Sequence, residues 1–218
     1  MNKPLLVIGN KNYSSWSFRA WLVARKAGVA FEERRIPLDT PTFAAEIGQY
    51  SPTRRVPVWI DQDLHIWDSL AIAQFLNESY ANQTLWPAEV ANRAIAQAVT
   101  AEMHSGFATL RHAMPMNIRA QGRVVERTAA LEADIDRITD LWRTCRAQYG
   151  AGGDWLFGAF SIADAFYAPV VFRFVTYGVA LGAVEQAYVD GLQADPDVQA
   201  WVQGAIAETE IIEAEEVG

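Results

Sequence analysis

Residues 56–69 read VPVWIDQDLHIWDS. Two runs suited to strands, 56–60 and 64–67, flank the polar Asp61-Gln62-Asp63, which is a hairpin signal. Proline removes a ladder donor, so Pro57 marks an edge, a bulge or a cis bond; on the residues alone an ordinary edge proline is the default, since only about 5% of X-Pro bonds are cis. Asp68-Ser69 then opens LAIAQFL, in which Ile72, Phe75 and Leu76 follow helical spacing. Strand, turn, strand and capped helix follow one another here with no room for a helical bundle.

Upstream the signals stay mixed. LLVI at 5–8 reads as a buried strand, and Phe18, Trp21, Leu22 and Arg25 mark a helix that Gly28 stops. A second strand is predicted over 30–36, followed by a loop around Pro37 and Pro41 with at most a short helix at 43–47. Downstream the strand signals vanish. NQTLWPAE at 82–89 is predicted to be a linker docked through Leu85 and Trp86, and the rest reads as helices over 91–114, 124–149, 161–175 and 197–207, with the loop GAGGD at 150–154. The predicted division is an α/β domain over 1–81, a linker over 82–92 and an all-helical domain over 93–218.

Composition narrows the function classes. With 18 Lys and Arg against 26 Asp and Glu, the net charge of −8 repels nucleic-acid backbones and anionic membrane surfaces and suits a protein that handles small molecules. No apolar stretch approaches the ~20 residues of a membrane span, and the opening run at 5–9 is too short for a signal-peptide core. The single Cys145 excludes an internal disulfide and a CxxC site, which fits a reducing compartment, the cytoplasm by default. His65, His104 and His112 lack metal-ligand spacing and read as surface or packing residues, so no metal is expected. The acidic stretch 208–216 reads as a solvated helix end that could also shield a partner surface.

Four short motifs carry chemistry. NYSSWSF at 12–18 places Ser14, Ser15 and Ser17 where a strand hands over to a helix, and free N–H groups and the positive helix end favour an anion there. Any one of these serines alone is an N-cap. Asp68-Ser69 repeats that physics at another helix start, where a hydroxyl suits a carboxylate and an aspartate an ammonium. Ser161-Ile162-Ala163-Asp164 has the form of a capping box and is structural on any reading. Val56-Pro57-Val58 is the fourth.

Together, SSWS before the first helix, VPV before the hairpin, DS at the third helix, LWP at the linker and SIADA in the helical half resemble the cytosolic glutathione transferases over nearly the whole chain. SSWSFR is most similar to the zeta class and its bacterial relatives, whose loop reads SSCSWR; Trp16 stands in place of their Cys. The resemblance implies a thioredoxin-like α/β domain followed by an all-α bundle, with glutathione as cosubstrate. It implies that a serine, Ser14 or Ser15, hydrogen-bonds the glutathione sulfur. It further implies that Val56, beside a cis Pro57, pairs its backbone with the cysteinyl unit, that Arg55 adds to the glutathione site, and that Ser69 holds the γ-glutamyl carboxylate. Asp68, one methylene shorter than the family's usual Glu or Gln, is left to meet the γ-glutamyl ammonium.

Candidate walls for the electrophile are Met103, Phe107, Arg111 and Met114, which recur at helical spacing, with Tyr167 and Arg173. Met and Phe at that spacing serve equally as core or dimer contact. Arg111, Arg119 and Arg173 suit a carbonyl or carboxylate oxygen or a structural ion pair. The implied activity is conjugation, isomerisation or dehalogenation of a small electrophile in a homodimer, with maleylacetoacetate-isomerase-type chemistry within the range. A noncatalytic binding or assembly module on the same fold is the alternative.

Overall fold

The computed structural model describes residues 3–218. The N-terminal domain runs β1 (Leu5–Ile8), α1 (Ser15–Lys26), β2 (Glu32–Arg35), α2 (Pro41–Glu46), a 3-10 turn (Ile47–Gln49), β3 (Val58–Asp61), β4 (Leu64–Trp67) and α3 (Ser69–Ser79). Its sheet has the order β2-β1-β3-β4, with β1 parallel to β2 and antiparallel to β3, and β3 antiparallel to β4. β1 is central because Leu6, Val7 and Ile8 are wholly apolar and buried, whereas β2 is Glu-Glu-Arg-Arg, charges that suit only an edge. The chain leaves α1 through Gly28, at φ 70°, a left-handed position that costs glycine nothing.

The C-terminal domain is helical: α4 (Val90–Ser105), α5 (Ala108–Ala113), α6 (Ala129–Tyr149), α7 (Ile162–Thr176), α8 (Ala183–Ala194) and α9 (Pro196–Ala207). α7 is its axis, apolar almost all round and buried along nearly its full length. The two domains share one core. α1 packs against α3 on one side and against α7 and α9 on the other, and Phe18 stacks on Trp201 with centroids 4.9 Å apart. Leu85 and Trp86 are buried, and α4 begins at Val90, within the stretch 82–92 expected as linker.

Several expectations need correcting. The helix predicted over 91–114 is broken at Gly106-Phe107. Phe107 sits at φ 58° with its ring buried, and a Cβ on Gly106 would lie 2.7 Å from the Glu102 carbonyl oxygen. α5 restarts with the Asp134 carboxylate accepting the Leu110 N–H at 2.9 Å. The helix predicted from 124 starts only at Ala129, where the Thr128 hydroxyl caps it. α8 was not predicted at all. The stretch 208–216 is no solvated helix end: it folds back over the N-terminal domain, and Glu208 accepts the N–H groups of Lys11 and Asn12 at 2.7 and 3.1 Å.

The start of α7 behaves as its sequence predicts. Asp164, wholly buried, accepts from the N–H and hydroxyl of Ser161 at 2.8 and 2.9 Å, from Leu156 N–H at 3.0 Å and from the Tyr188 hydroxyl at 3.2 Å. Burial pushes its carboxyl up to about 6, against the pull of those donors.

Candidate active site

Two cavities of about 340 and 360 Å³ lie side by side at the end of the sheet where β1 and β4 finish and β3 begins. They share Trp16, Arg55 and Val56. The first is completed by Thr53, Pro57, Trp67, Asp68 and Ser69, the second by Tyr13, Ser14, Ser15, Leu38, Arg111, Arg173 and Glu215. A groove of two compartments therefore joins the serine loop, the VPV segment and the start of α3.

At the α3 end, the bond between Val56 and Pro57 is cis, and β3 begins only at Val58, so Val56 lies outside the strand ladder with its backbone beside the groove. Asp68 is at φ 75° and caps α3, its Oδ1 accepting the N–H groups of Leu70 and Ala71 at 2.8 and 3.3 Å. Ser69 is 1% exposed, and its hydroxyl has no hydrogen-bond partner. A buried orphan hydroxyl at a helix N-terminus, in a cavity wall, is suited to an anionic oxygen.

At the α1 end, Ser14 is the N-cap: its oxygen accepts Ser17 N–H at 3.4 Å, and its hydroxyl donates to Ser17 Oγ at 2.7 Å. Ser17 Oγ in turn accepts the Gly9 N–H at 3.1 Å, tying β1 to α1. Ser15 Oγ accepts from Arg173 Nη2 at 3.4 Å, which leaves its own proton for the cavity. A free hydroxyl proton at a helix start thus suits an anion.

Arg111 and Arg173 line this compartment, and a third arginine, Arg19, is buried beneath Trp16. Arg173 is buried and donates to the carbonyls of Met114 and Arg111, and Arg111 donates to those of Met103 and His104. Arg19 is 1% exposed, its Nε and Nη1 have no partner, and its guanidinium lies 4.5 Å from the Trp16 ring centroid and 4.9 Å from that of Phe166. Arg111 reaches the same indole at 4.8 Å. Burial first, then mutual repulsion, lowers Arg19 well below the usual guanidinium range and Arg173 to about 10. The Trp16 indole is thus a platform for two cations.

Of the electrophile-wall residues expected from spacing, Arg111 and Arg173 line the cavity. Met103, Phe107, Met114 and Tyr167 do not: all four are buried in the shared core, and Tyr167 donates to the Val99 carbonyl at 3.2 Å. Their spacing belongs to the face of α4, α5 and α7 that packs inward. Arg119 is structural, donating to the carbonyls of Glu208 and Glu210 and to Tyr13 Oη.

Trp16, whose indole on the sequence could either wall the site or simply pack, lines both cavities; the sequence does not single out Trp67, Arg19, His104 or Glu215. His104 Nε2 lies 3.3 Å from Asp68 Oδ2, and its ring meets Trp16 edge-on at 5.4 Å, linking α4 to both helix starts. Burial lowers its pKa, and Arg19 and Arg111 add to that against the pull of Asp68. Among the described residues no group of three or more His, Cys, Asp or Glu could hold a metal ion, and no helix is long and apolar enough to cross a membrane.

Comparison with known proteins identifies relatives of both domains. Residues 13–79 match the model of the glutathione S-transferase N-terminal domain, and 126–204 that of the C-terminal domain. A probable maleylacetoacetate isomerase from Caenorhabditis elegans is 24% identical over 181 residues, covering 78% of each chain. A zeta-class glutathione S-transferase from Euphorbia esula is 32% identical over 95 residues, 43% of this chain and 42% of that one. Among solved structures, a glutathione transferase homolog from Burkholderia with bound glutathione superposes with a TM-score of 0.70 at 26% identity, covering 94% of this chain and 99% of the other.

Proposed function

Since the chain belongs to the glutathione S-transferase family and has zeta-class relatives, we propose that it binds glutathione along the two-compartment groove and activates its thiol with the serines of the first loop. Residues 1–81 hold the tripeptide and 93–218 close over the electrophile. The observation that carries this reading is the pairing of an orphan buried hydroxyl, Ser69, at one end of the groove with the serine pair at the other, where Ser15 keeps its proton and Ser14 donates to Ser17. The Ser69 hydroxyl, at the positive end of α3, receives the γ-glutamyl carboxylate. Asp68, with one oxygen on the helix cap and the other 3.3 Å from His104 Nε2, meets the ammonium from the wall of the groove. Val56 pairs its backbone with the cysteinyl unit in the manner of an added strand, with Arg55 beside it.

When bound, glutathione supplies the nucleophilic sulfur. A free thiol titrates near 8.5, so lowering it by about two units requires about 2.7 kcal/mol of preference for the anion. One charge-assisted hydrogen bond contributes about 1.5 to 3 kcal/mol and a helix N-terminus about 0.3 to 1. Ser15 gives its free proton, Ser14 rotates its own away from Ser17, and Arg173 adds positive charge behind Ser15. These contributions reach the required sum without a proteinaceous general base. Arg111 and Arg173 orient a carbonyl or carboxylate oxygen of a small electrophile for conjugation, isomerisation or dehalogenation.

A homodimer is part of this reading, supported by the half-exposed Leu64 and Trp67 on edge strand β4. So is a reducing compartment, which suits both the cosubstrate and the single buried Cys145. The test is retention on immobilised glutathione together with turnover of a panel of electrophiles. Retention with turnover, at least a hundredfold lower in the Ser14→Ala/Ser15→Ala variant, supports the proposal. Retention with no turnover would leave a binding module, and no retention would overturn the glutathione site.

A further inference from the structure

The segment 208–218 is a strap pinned on both sides of one acidic residue. Upstream, Glu208 caps Lys11 and Asn12, and Arg119 grips the carbonyls of Glu208 and Glu210. Downstream, Glu216 accepts from the Tyr13 hydroxyl at 2.6 Å and Asn117 Nδ2 at 2.9 Å and pairs with Arg123, and Val217 accepts from Tyr177. Between these anchors a 3-10 turn, Glu213–Glu215, sets Glu215 into the wall of the serine compartment. Its carboxylate takes part in no hydrogen bond or ion pair with the described residues, although it faces the field of Arg173. Burial raises its pKa, with Asp39 adding to the rise and Arg173 opposing it.

Beyond this wall lies a further cavity of about 630 Å³, whose lining mixes the apolar Ala113, Pro115, Val125 and Val217 with the polar His112 and Glu126. It shares two residues with the serine compartment: Arg111 and Glu215. An electrophile that reaches from the serine compartment into this cavity therefore passes between a guanidinium and a carboxylate without a partner among the described residues.

Building on the glutathione site proposed above, we infer that Glu215 is a specificity-determining residue: its carboxylate, held at the partition by the strap, offsets Arg111 and Arg173 and selects electrophiles whose far end is uncharged over those whose far end is anionic. Two arginines alone would attract an anionic far end. A carboxylate fixed at the boundary that the two cavities share repels it.

Equilibrium binding of two S-substituted glutathiones of similar length, S-hexylglutathione and S-(5-carboxypentyl)glutathione, tests this in the full chain and in Glu215→Gln. Because Glu215 makes no hydrogen bond, the isosteric glutamine keeps the fold, which thermal unfolding checks. The wild type should bind the hexyl derivative about tenfold more tightly than the carboxypentyl one, and Glu215→Gln should narrow the ratio to about twofold. A ratio that is the same in both proteins overturns the role of Glu215. Failure of the wild type to bind glutathione itself overturns the glutathione site and this inference together, so the two failures are distinguishable.

Discussion

The starts of α7 and α3 use the same two residue types to opposite ends. At α7, Asp164 is surrounded by four protein donors, and no polar capacity is left over. At α3, Asp68 caps the helix with one oxygen while the hydroxyl of the adjacent Ser69 is buried and unpartnered beside a cavity. A capping motif whose bonds close on themselves is structural. One that leaves a donor open is built for something outside the chain. The α1 start lies between these cases: Ser14 is committed to Ser17, and Ser15 is not.

The largest effect should come from breaking the closed motif. Asp164→Ala strands buried donors and should lower the unfolding free energy by about 3 to 5 kcal/mol in denaturant titration. An effect below about 1 kcal/mol would refute the structural assignment. The sign of its pH dependence follows from burial, which raises the carboxyl from an unfolded value near 3.9 to about 6. Its contribution to stability is full below about pH 4 and is lost as pH rises through 6. The stability advantage of the wild type over Asp164→Asn should therefore shrink across that window, and a constant or growing difference would contradict the sign.

Breaking the open motif should do the reverse. Ser69→Ala removes a hydroxyl with no protein partner, so stability should change by less than about 0.5 kcal/mol while glutathione affinity falls about tenfold or more. Loss of stability with affinity intact would show that the hydroxyl serves the fold. Smaller still is Asp68→Asn. Asparagine caps as well as aspartate, so the helix should hold and calorimetry should find glutathione binding weakened only about fivefold, through the lost charge on the ammonium.

The same contrast explains what the sequence made legible. Motifs that are local could be read from it: the hairpin at 58–67, the capping box at 161–164, the cis-proline segment through its family resemblance, and the serine loop. What escaped depends on chain segments meeting. Arg19, Arg111 and Arg173 come from α1, α5 and α7 and converge only because those helices share one core. Met103, Met114 and Tyr167 carry the right spacing for a cavity wall, yet spacing alone does not say whether a stripe faces a cavity or a neighbouring helix. The break at Gly106-Phe107 is invisible to periodicity because α5 resumes with apolar residues nearly in phase. Glu215 looked like one more charge in an acidic tail until Glu208 and Glu216 were found pinned to the opposite end of the chain.

The central claim is that the start of α1 holds a foreign sulfur as its anion. Ultraviolet thiolate absorbance, titrated against pH for glutathione bound to the wild type and to the Ser14→Ala, Ser15→Ala and double variants, reads this directly. The account predicts a bound thiol about two units below 8.5, raised by about one unit in each single variant and restored to near 8.5 in the double variant. A bound thiol that titrates at the same pH in the wild type and the double variant would contradict it.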